Sequence, residues 1–591
     1  MVSDVQPKQT HTGAVRAGAG VHLGRYVPII DWLGRYRRED LIGDVMAGVV
    51  VAIMLVPQSM AYAMLAGLPP QAGLYASVLP LILYAVFGTS RTLAVGPVAI
   101  VSLMTATSVG ALAPQGTAEY VALALLLALL VGVVQVVMGV ARVGFLVNFL
   151  STPVLSGFTS AAALVIGASQ LATLLGLSIP GDSLHRTLLN LVRHLSDANP
   201  VTTAIGLGSI LLLVFVRRAL GRPLARWGVP PAAIGAVTKA GPLIVVVMGT
   251  LIVWGLRLHA TASVQVVGSI PAGLPPLTVP RLDPDAVRAL LPTAIAISFV
   301  SFMESVSVAK ALASKRRQRI EANQELIGLG AANLGAALTG GYPVTGGFSR
   351  SVVNFTAGAN TQLASIITAG LVALTVLFLT PLFQYLPRTV LAAIVIVAVA
   401  SLIDVATLTR VWRYDKADAV SLLVTFMAVL VRGVEFGILA GMATAIFLYL
   451  WRTSRPHIAV VGRVGESETY RNVLRHETRT CPRVMAVRVD ESLYFPNTRA
   501  LEETLLRLVA ERPETTDLVL IGSGINFIDA SALAVLESLH VELRGAGVTL
   551  HLAEFKGPVM DRLRAAGFID RIGRDRVFLS THQAMQALGC A

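Results

Sequence analysis

For the first three quarters of the chain, hydrophobic positions neither alternate nor recur at helical spacing; they run in unbroken blocks separated by glycine, proline and charge. A membrane-crossing helix needs about 20 apolar residues, so each block predicts a span. The expected spans are 43–66, 71–88, 97–111, 119–141, 152–177, 200–216, 240–256, 288–312, 322–340, 347–359, 362–381, 388–404, 417–432 and 434–451, fourteen in all. Two are too short for a full crossing and begin on helix-breaking residues. These are Ala94-Val95-Gly96-Pro97 before the third span and Tyr342-Pro343-Val344-Thr345-Gly346-Gly347 before the tenth. They hold equivalent places in two sets of seven. An odd-numbered repeat enters the membrane upside down, which predicts inverted repeats facing each other across a midplane site. Irregular backbone at that depth is tolerated only where it lines a cavity.

After Trp451 the pattern changes. Charges are spread among short apolar runs: strand 484–489, helix 498–510, strand 518–521, helix 531–544, strand 548–552, and helices after Gly557 and Thr581. That alternation predicts a small α/β domain. The expected organisation is an N-terminal segment at 1–40, an all-α polytopic membrane domain at 41–454, a linker at 455–482 and the α/β domain at 483–591.

Composition agrees with the membrane reading: 54% of residues are hydrophobic and 14% charged, against about 25% charged in soluble domains. The net charge of +13 would suit nucleic acid, but the basic residues lie between apolar blocks and aromatics are only 6%, so nucleic acid is not an expected partner. The clusters Arg35, Arg37 and Arg38; Arg217, Arg218, Arg222 and Arg226; Lys315, Arg316, Arg317 and Arg319; and Arg410, Arg413 and Lys416 fall in loops of equal parity. The positive-inside rule makes those loops, and both termini, cytoplasmic. No removable signal peptide is expected. Cys481 and Cys590 match no metal or redox spacing, so neither a disulfide framework nor a metal site is expected.

Glu304 lies within the eighth span with no basic residue within a turn. A carboxylate there costs on the order of 3 kcal/mol, so it should face protein or water and is a candidate proton carrier. The plainer reading is a protonated Glu bonded between helices. Arg350 follows the second break in Gly346-Gly347-Phe348-Ser349-Arg350-Ser351, where Ser349 and Ser351 add hydroxyls. A helix N-terminus offers free N–H groups and partial positive charge, so with an arginine beside it the site should take an anion. Alternatively Arg350 snorkels to the interface or pairs with Glu304. Gln58 and Tyr62, four residues apart after Pro57, share a helix face that either borders the cavity or packs on a neighbour. Asp44, Asp404 and Asp418 are assigned to the membrane borders.

Several runs are specific: Leu55-Val56-Pro57-Gln58-Ser59-Met60-Ala61-Tyr62-Ala63 with Gly67-Leu68-Pro69-Pro70, Gly96-Pro97 with Ser102-Leu103-Met104, Phe302-Met303-Glu304-Ser305-Val306-Ser307-Val308-Ala309-Lys310, and Gly346 to Ser351. On these the chain resembles the SulP sulfate-permease family of anion transporters, to which prestin also belongs. The resemblance implies fourteen segments in seven-plus-seven inverted repeats, a core domain moving against a gate domain, a homodimer and a cytoplasmic STAS domain. It places substrate contacts at Gln58, Tyr62, Val98, Ala99, Phe348, Ser349 and Arg350, and cation coupling at Glu304. Val98 departs from the bulkier or hydroxylated residue often found in relatives. Asn526-Phe527-Ile528-Asp529-Ala530-Ser531-Ala532 resembles the phosphorylated turn of anti-sigma-factor antagonists, with Ser531 at the modified position, although Asp529 also reads as a plain helix N-cap.

The expected function is secondary active transport of a small inorganic or carboxylic anion across a bacterial-type cytoplasmic membrane. Sulfate comes first, with bicarbonate or dicarboxylates next; no catalytic residues, cofactor or metal are expected. The coupling ion is a proton, with sodium as the alternative. Rival readings are a sodium-coupled bicarbonate transporter, a nucleobase permease of the same fold, and a membrane-anchored STAS sensor that meets a regulatory protein. Apart from its anion, the expected partners are membrane lipid and a second copy of the chain.

Overall fold

In a computed structural model the described residues are 26–145, 151–177, 184–228, 234–235, 237–238 and 240–590. Most of the expected N-terminal segment, residues 1–25, lies outside them. The chain divides into two compact units, Met1–Ala443 and Thr444–Ala591, so the division falls inside the last membrane helix, Val434–Thr453, rather than after it at 454.

Every one of the fourteen expected stretches carries helix. Among the described residues nine helices are long and apolar enough to cross a membrane. The 28 residues of Arg38–Leu65 span about 42 Å, more than a bilayer's hydrocarbon core, and the helix runs unbroken through Pro57. The third and tenth stretches differ: Ala99–Gly110 has 12 residues and Phe348–Thr356 has 9, about 18 and 14 Å. Each reaches only half-way. Short helices at Ile29–Gly34, Leu184–Arg193 and Val405–Tyr414 were not expected. The last is capped by Asp404, whose carboxylate accepts from Thr407 N–H at 2.9 Å.

The helices pack in two groups. Ala322–Leu338 lies on Ala118–Val140 and Leu79–Phe87, and Leu363–Leu374 on Arg38–Leu65; Thr152–Leu174 packs with Arg388–Ala400 and Lys416–Arg432, and Arg388–Ala400 with Pro200–Arg218. The groups meet where Arg38–Leu65 touches Arg388–Ala400 and Gly241–Gly255. Lipid supplies no hydrophobic drive between helices, so close backbone approach has to hold them. A Cβ on Gly132 would stand 2.8 Å from Leu334 N, and one on Gly330 2.8 Å from Gly132 O, so only glycine permits that crossing.

Within the membrane two short strands pair, β1 (Val95–Gly96) and β2 (Thr345–Gly346), antiparallel with Val95 opposite Gly346. The second unit holds a six-stranded sheet of β3 (Ile458–Arg463), β4 (Tyr470–Asn472), β5 (Val484–Val489), β6 (Asp517–Ile521), β7 (Thr549–Ala553) and β8 (Val577–Phe578), in the order β4-β3-β5-β6-β7-β8. The β5, β6, β7 and β8 strands are parallel; β3 joins β5 and β4 antiparallel. Alternate residues supply two faces: Met485, Val487, Leu518 and Leu520 point to one apolar cluster, Val484, Ala486, Val519 and Ile521 to the other.

The sheet corrects two expectations. The segment read as a linker carries β3 and β4, and it is tied to β5 by a side-chain hydrogen bond as well as by backbone. Asp490 accepts from Arg488 Nε at 2.6 Å and meets His457 Nδ1 at 2.8 Å. Burial pushes this carboxyl up, but the Arg488 and His457 hydrogen bonds outweigh it and hold it below the usual carboxylate range. Cys481 and Cys590 are joined as a disulfide, with Cα atoms 5.7 Å apart. They are 109 residues apart in sequence, and they meet because the C-terminal helix Thr581–Ala587 lies on the second face of the sheet, beside the end of the supposed linker.

A fragment of residues 455–590 is therefore expected to unfold cooperatively. One beginning at Arg483 loses β3, β4 and the disulfide, and is expected to be less stable by more than about 3 kcal/mol, from lost apolar burial and an opened loop. Urea unfolding of both fragments followed by circular dichroism checks this; equal midpoints would restore the linker reading.

Candidate functional site

The two chain breaks close on each other. Besides the β1 and β2 pairing, Gly347 N–H donates to Ala94 O at 3.1 Å, and Ala94 N–H donates to Ser351 Oγ at 2.9 Å. Ser351 Oγ in turn donates to Gly347 O at 2.7 Å, and Asn354 Nδ2 to Thr92 O at 3.1 Å. The helix bearing Glu304, Pro284–Lys315, clamps β2 from one side: Gly346 N–H donates to Ser305 Oγ at 3.0 Å and Thr345 Oγ1 to Ser301 O at 3.0 Å. From the other, Asn333 exchanges two bonds with Val344, Nδ2 to O at 3.0 Å and N–H to Oδ1 at 2.8 Å. Ser351 is thus spent on the scaffold and is not free for a ligand, contrary to its expected role.

This scaffold presents two half-helix N-termini. Neither N-cap, Val98 or Gly347, has a side chain bonded to the first turn, so the leading N–H groups carry the helix dipole uncapped. Arg350 lies between them. It is 2% exposed, its Nη1 donates to Pro97 O at 2.6 Å, and its Nε and Nη2 have no partner among the described residues. Glycine makes the room: a Cβ on Gly347 would stand 3.0 Å from Nη2 and one on Gly96 3.5 Å. A buried guanidinium with two free donors does not snorkel, which settles that alternative. Tyr62, Tyr342 and Glu304 lie within electrostatic reach of it. Glu304 is partly buried, and its Oε2 has no hydrogen-bond partner among the described residues.

The other expected residues divide. Tyr62, Val98 and Ala99 are buried, at the first helix and at the start of the third. Gln58 and Ser349 line a cavity of about 180 Å³ together with Met54, Val353, Ile394 and Val397. Phe348 is 55% exposed and outside that lining. Arg217 and Ser401, read only as loop or span-end residues, sit at the same cavity. Tyr342, bonded to Ser102 Oγ at 3.0 Å, was also missed. Buried Glu325 had the same signal as Glu304, a carboxylate inside a span, but its oxygens are filled by Tyr84 (2.6 Å), Thr89 N–H (2.7 Å) and Ser90 N–H (3.0 Å), marking it as structural. Asp44, assigned to the membrane border, is fully buried in the protein, where it accepts from Asn360 N–H at 2.7 Å and Thr361 Oγ1 at 2.6 Å. In the second unit Asp529 caps the helix Ala530–Gly545 through Ala532 N–H at 2.8 Å, and Ser531 is exposed in its first turn.

Fourteen helical stretches, two of them paired half-helices with twelve others around them, define a multi-pass membrane transporter. Residues 41–425 match the sulfate permease family and residues 475–584 the STAS domain, and the chain belongs to the sulfate permease family. It is 37% identical to sulfate transporter 4.1, chloroplastic, of Arabidopsis thaliana, over 95% of this chain and 82% of that one. A probable sulfate transporter of Mycobacterium tuberculosis is 35% identical over 95% and 98% of the two chains. Among solved structures, murine solute carrier 26 family member A9, an anion transporter in the inward-facing state, superposes with a TM-score of 0.88 at 25% identity, covering 99% and 97%. The transmembrane domain of a cyanobacterium bicarbonate transporter shares the fold at 24% identity, TM-score 0.58, covering 70% of this chain and 98% of that one.

Ser351→Ala removes the partner of Ala94 N–H where water cannot replace it, and is expected to cost about 1–3 kcal/mol. Ser349→Ala, whose hydroxyl bonds nothing among the described residues, is expected to stay within about 0.5 kcal/mol. Thermal unfolding of the two variants in detergent distinguishes them.

Proposed function

We propose that the chain moves a small oxyanion, sulfate first, by secondary active transport with a cotransported proton. The observation that carries this is the buried Arg350 guanidinium, with two unpartnered donors, held between two uncapped half-helix N-termini. All three features favour an anion and disfavour a cation or a neutral nucleobase. The names of the plant and mycobacterial relatives support sulfate; bicarbonate, named for the cyanobacterial neighbour, is the second reading. In this reading the half-helices belong to a core that moves against the gate group. The cavity at Gln58, Ser349 and Arg217 is the route to the cytoplasm, and the protein works as a homodimer in a bacterial cytoplasmic membrane with both termini inside. Ser531, exposed at a helix N-terminus where a phosphate is favoured, is the proposed modification site of the STAS domain.

Glu304 is proposed as the proton carrier. A divalent anion entering against an inside-negative potential is opposed by about 2.3 kcal/mol per charge per 100 mV, and a protonated carboxyl near the site offsets part of that. The residue that would hold sodium in the rival mechanism is the same one.

Arg350→Gln is expected to weaken sulfate binding by about 10- to 100-fold, the worth of one charge-assisted hydrogen bond, with Arg350→Lys retaining part. Calorimetric titration of purified protein checks this, and unchanged affinity in the Gln variant would sink the site assignment. Glu304→Gln should abolish sulfate accumulation driven by an acid-outside gradient in liposomes while leaving anion-for-anion exchange. Accumulation that follows a sodium gradient instead would assign Glu304 to a metal ion, and no flux by the parent protein would leave only a sensing role.

A further inference from the structure

At one end of the membrane unit, away from the half-helices, is a larger cavity of about 1060 Å³. Five arginines line it, Arg35, Arg91, Arg142, Arg317 and Arg319, against two carboxylates, Asp31 and Glu321. The local excess is three positive charges. Arg35 is paired with Asp31 at 2.8 Å; the side chains of the other four make no hydrogen bond or ion pair among the described residues. The transport mechanism uses none of them.

Two of these arginines also occupy backbone positions that suit glycine. Helix Ala118–Val140 ends at its cap Ala141 and is followed by Arg142 at φ 57°; helix Pro284–Lys315 ends at its cap Arg316 and is followed by Arg317 at φ 52°. The residue after a helix C-cap is normally glycine when φ is positive, because any Cβ is strained there. Arginine at both places puts a guanidinium into the cavity where the fold by itself favours none. Beside the cavity is an apolar track: Val133, Val137 and Val140 are 45, 59 and 69% exposed along one face of Ala118–Val140, and Val140 and Ile30 line the cavity rim.

A basic cavity continuous with a bare apolar face matches a phospholipid: phosphate in the cavity, acyl chain along the valines. We propose that this cavity binds the headgroup phosphate of an acidic phospholipid. Arg35, Arg317 and Arg319 belong to the basic clusters that the orientation proposed above places in the cytoplasm, so on that reading the lipid is in the cytoplasmic leaflet; binding in detergent does not rest on that orientation, and a failure there counts against the cavity alone.

The test uses full-length protein in detergent, titrated with phosphatidylglycerol, phosphatidylcholine or inorganic pyrophosphate, with bound lipid read by native mass spectrometry and stability by thermal midpoint. The parent is expected to bind phosphatidylglycerol saturably and at least tenfold more tightly than phosphatidylcholine. Arg142→Gly/Arg317→Gly relieves both backbone positions while deleting both charges, so it should fold as well as the parent yet lose that preference at least tenfold. Arg410→Gln/Arg413→Gln, a basic pair outside the cavity, should keep it. Displacement of the lipid by pyrophosphate would support phosphate as the recognised group. An unchanged preference in the glycine variant, or an equal loss in the control pair, overturns the proposal; pyrophosphate binding with no lipid preference overturns its lipid source.

Discussion

A lipid bilayer offers no water to a backbone N–H or C=O, and nearly everything in the membrane unit follows from how this chain breaks two helices at that depth and still satisfies them. One break would leave a row of unpaired groups. Two breaks close each other: β1 and β2 pair, and the neighbouring bonds among Ala94, Gly347 and Ser351 complete the seal. Asn333 and Ser305 then fix β2 to flanking helices. The polar side chains buried near the breaks are chiefly backbone substitutes, and this is why two irregular segments can stand mid-membrane without melting the bundle.

Closing the breaks leaves a residue of unpaired positive charge. The outward-facing groups of the breaks are neutralised by their mutual bonds, but the first turns of both half-helices keep their free N–H groups, and Arg350 keeps two donors. Burying a guanidinium with donors unspent is costly, so the fold holds it against a gain made elsewhere. Glu325 makes the contrast. It is an equally buried charge, yet two hydroxyls and two backbone N–H groups surround it, and it joins Leu79–Phe87 to Ala322–Leu338. Satisfaction of the buried group, not its burial, separates the candidate site from the scaffold.

The second unit is governed by an ordinary core. Parallel strands β5, β6 and β7 are covered on both faces, which is why they read as continuous apolar runs. What lies at the sheet edge is less regular: the β3 and β4 pair shields an edge strand, with Asp490 bridging His457 and Arg488 to hold it in place.

The sequence alone determined the place and order of the fourteen apolar stretches that carry helix, the position of both breaks, the α/β character of the last hundred residues and the proximity of Arg350 to a half-helix, but not the short helices between them. These are local or periodic properties, since a span is recognised by its length of apolar residues and a break by glycine and proline inside it. It was silent wherever partners are distant in the chain. Cys481 and Cys590, the short polar strand β4, and Asp44 with Asn360 and Thr361 carry no mark that distinguishes them from loop or border residues, whereas β3 is a short apolar run, Ile458-Ala459-Val460-Val461, that the linker reading passed over. Glu304 and Glu325 look alike in sequence and differ only in what surrounds them. Tertiary structure decided these cases because hydrogen bonding and charge pairing depend on distances of a few ångströms between segments, which no one-dimensional pattern encodes.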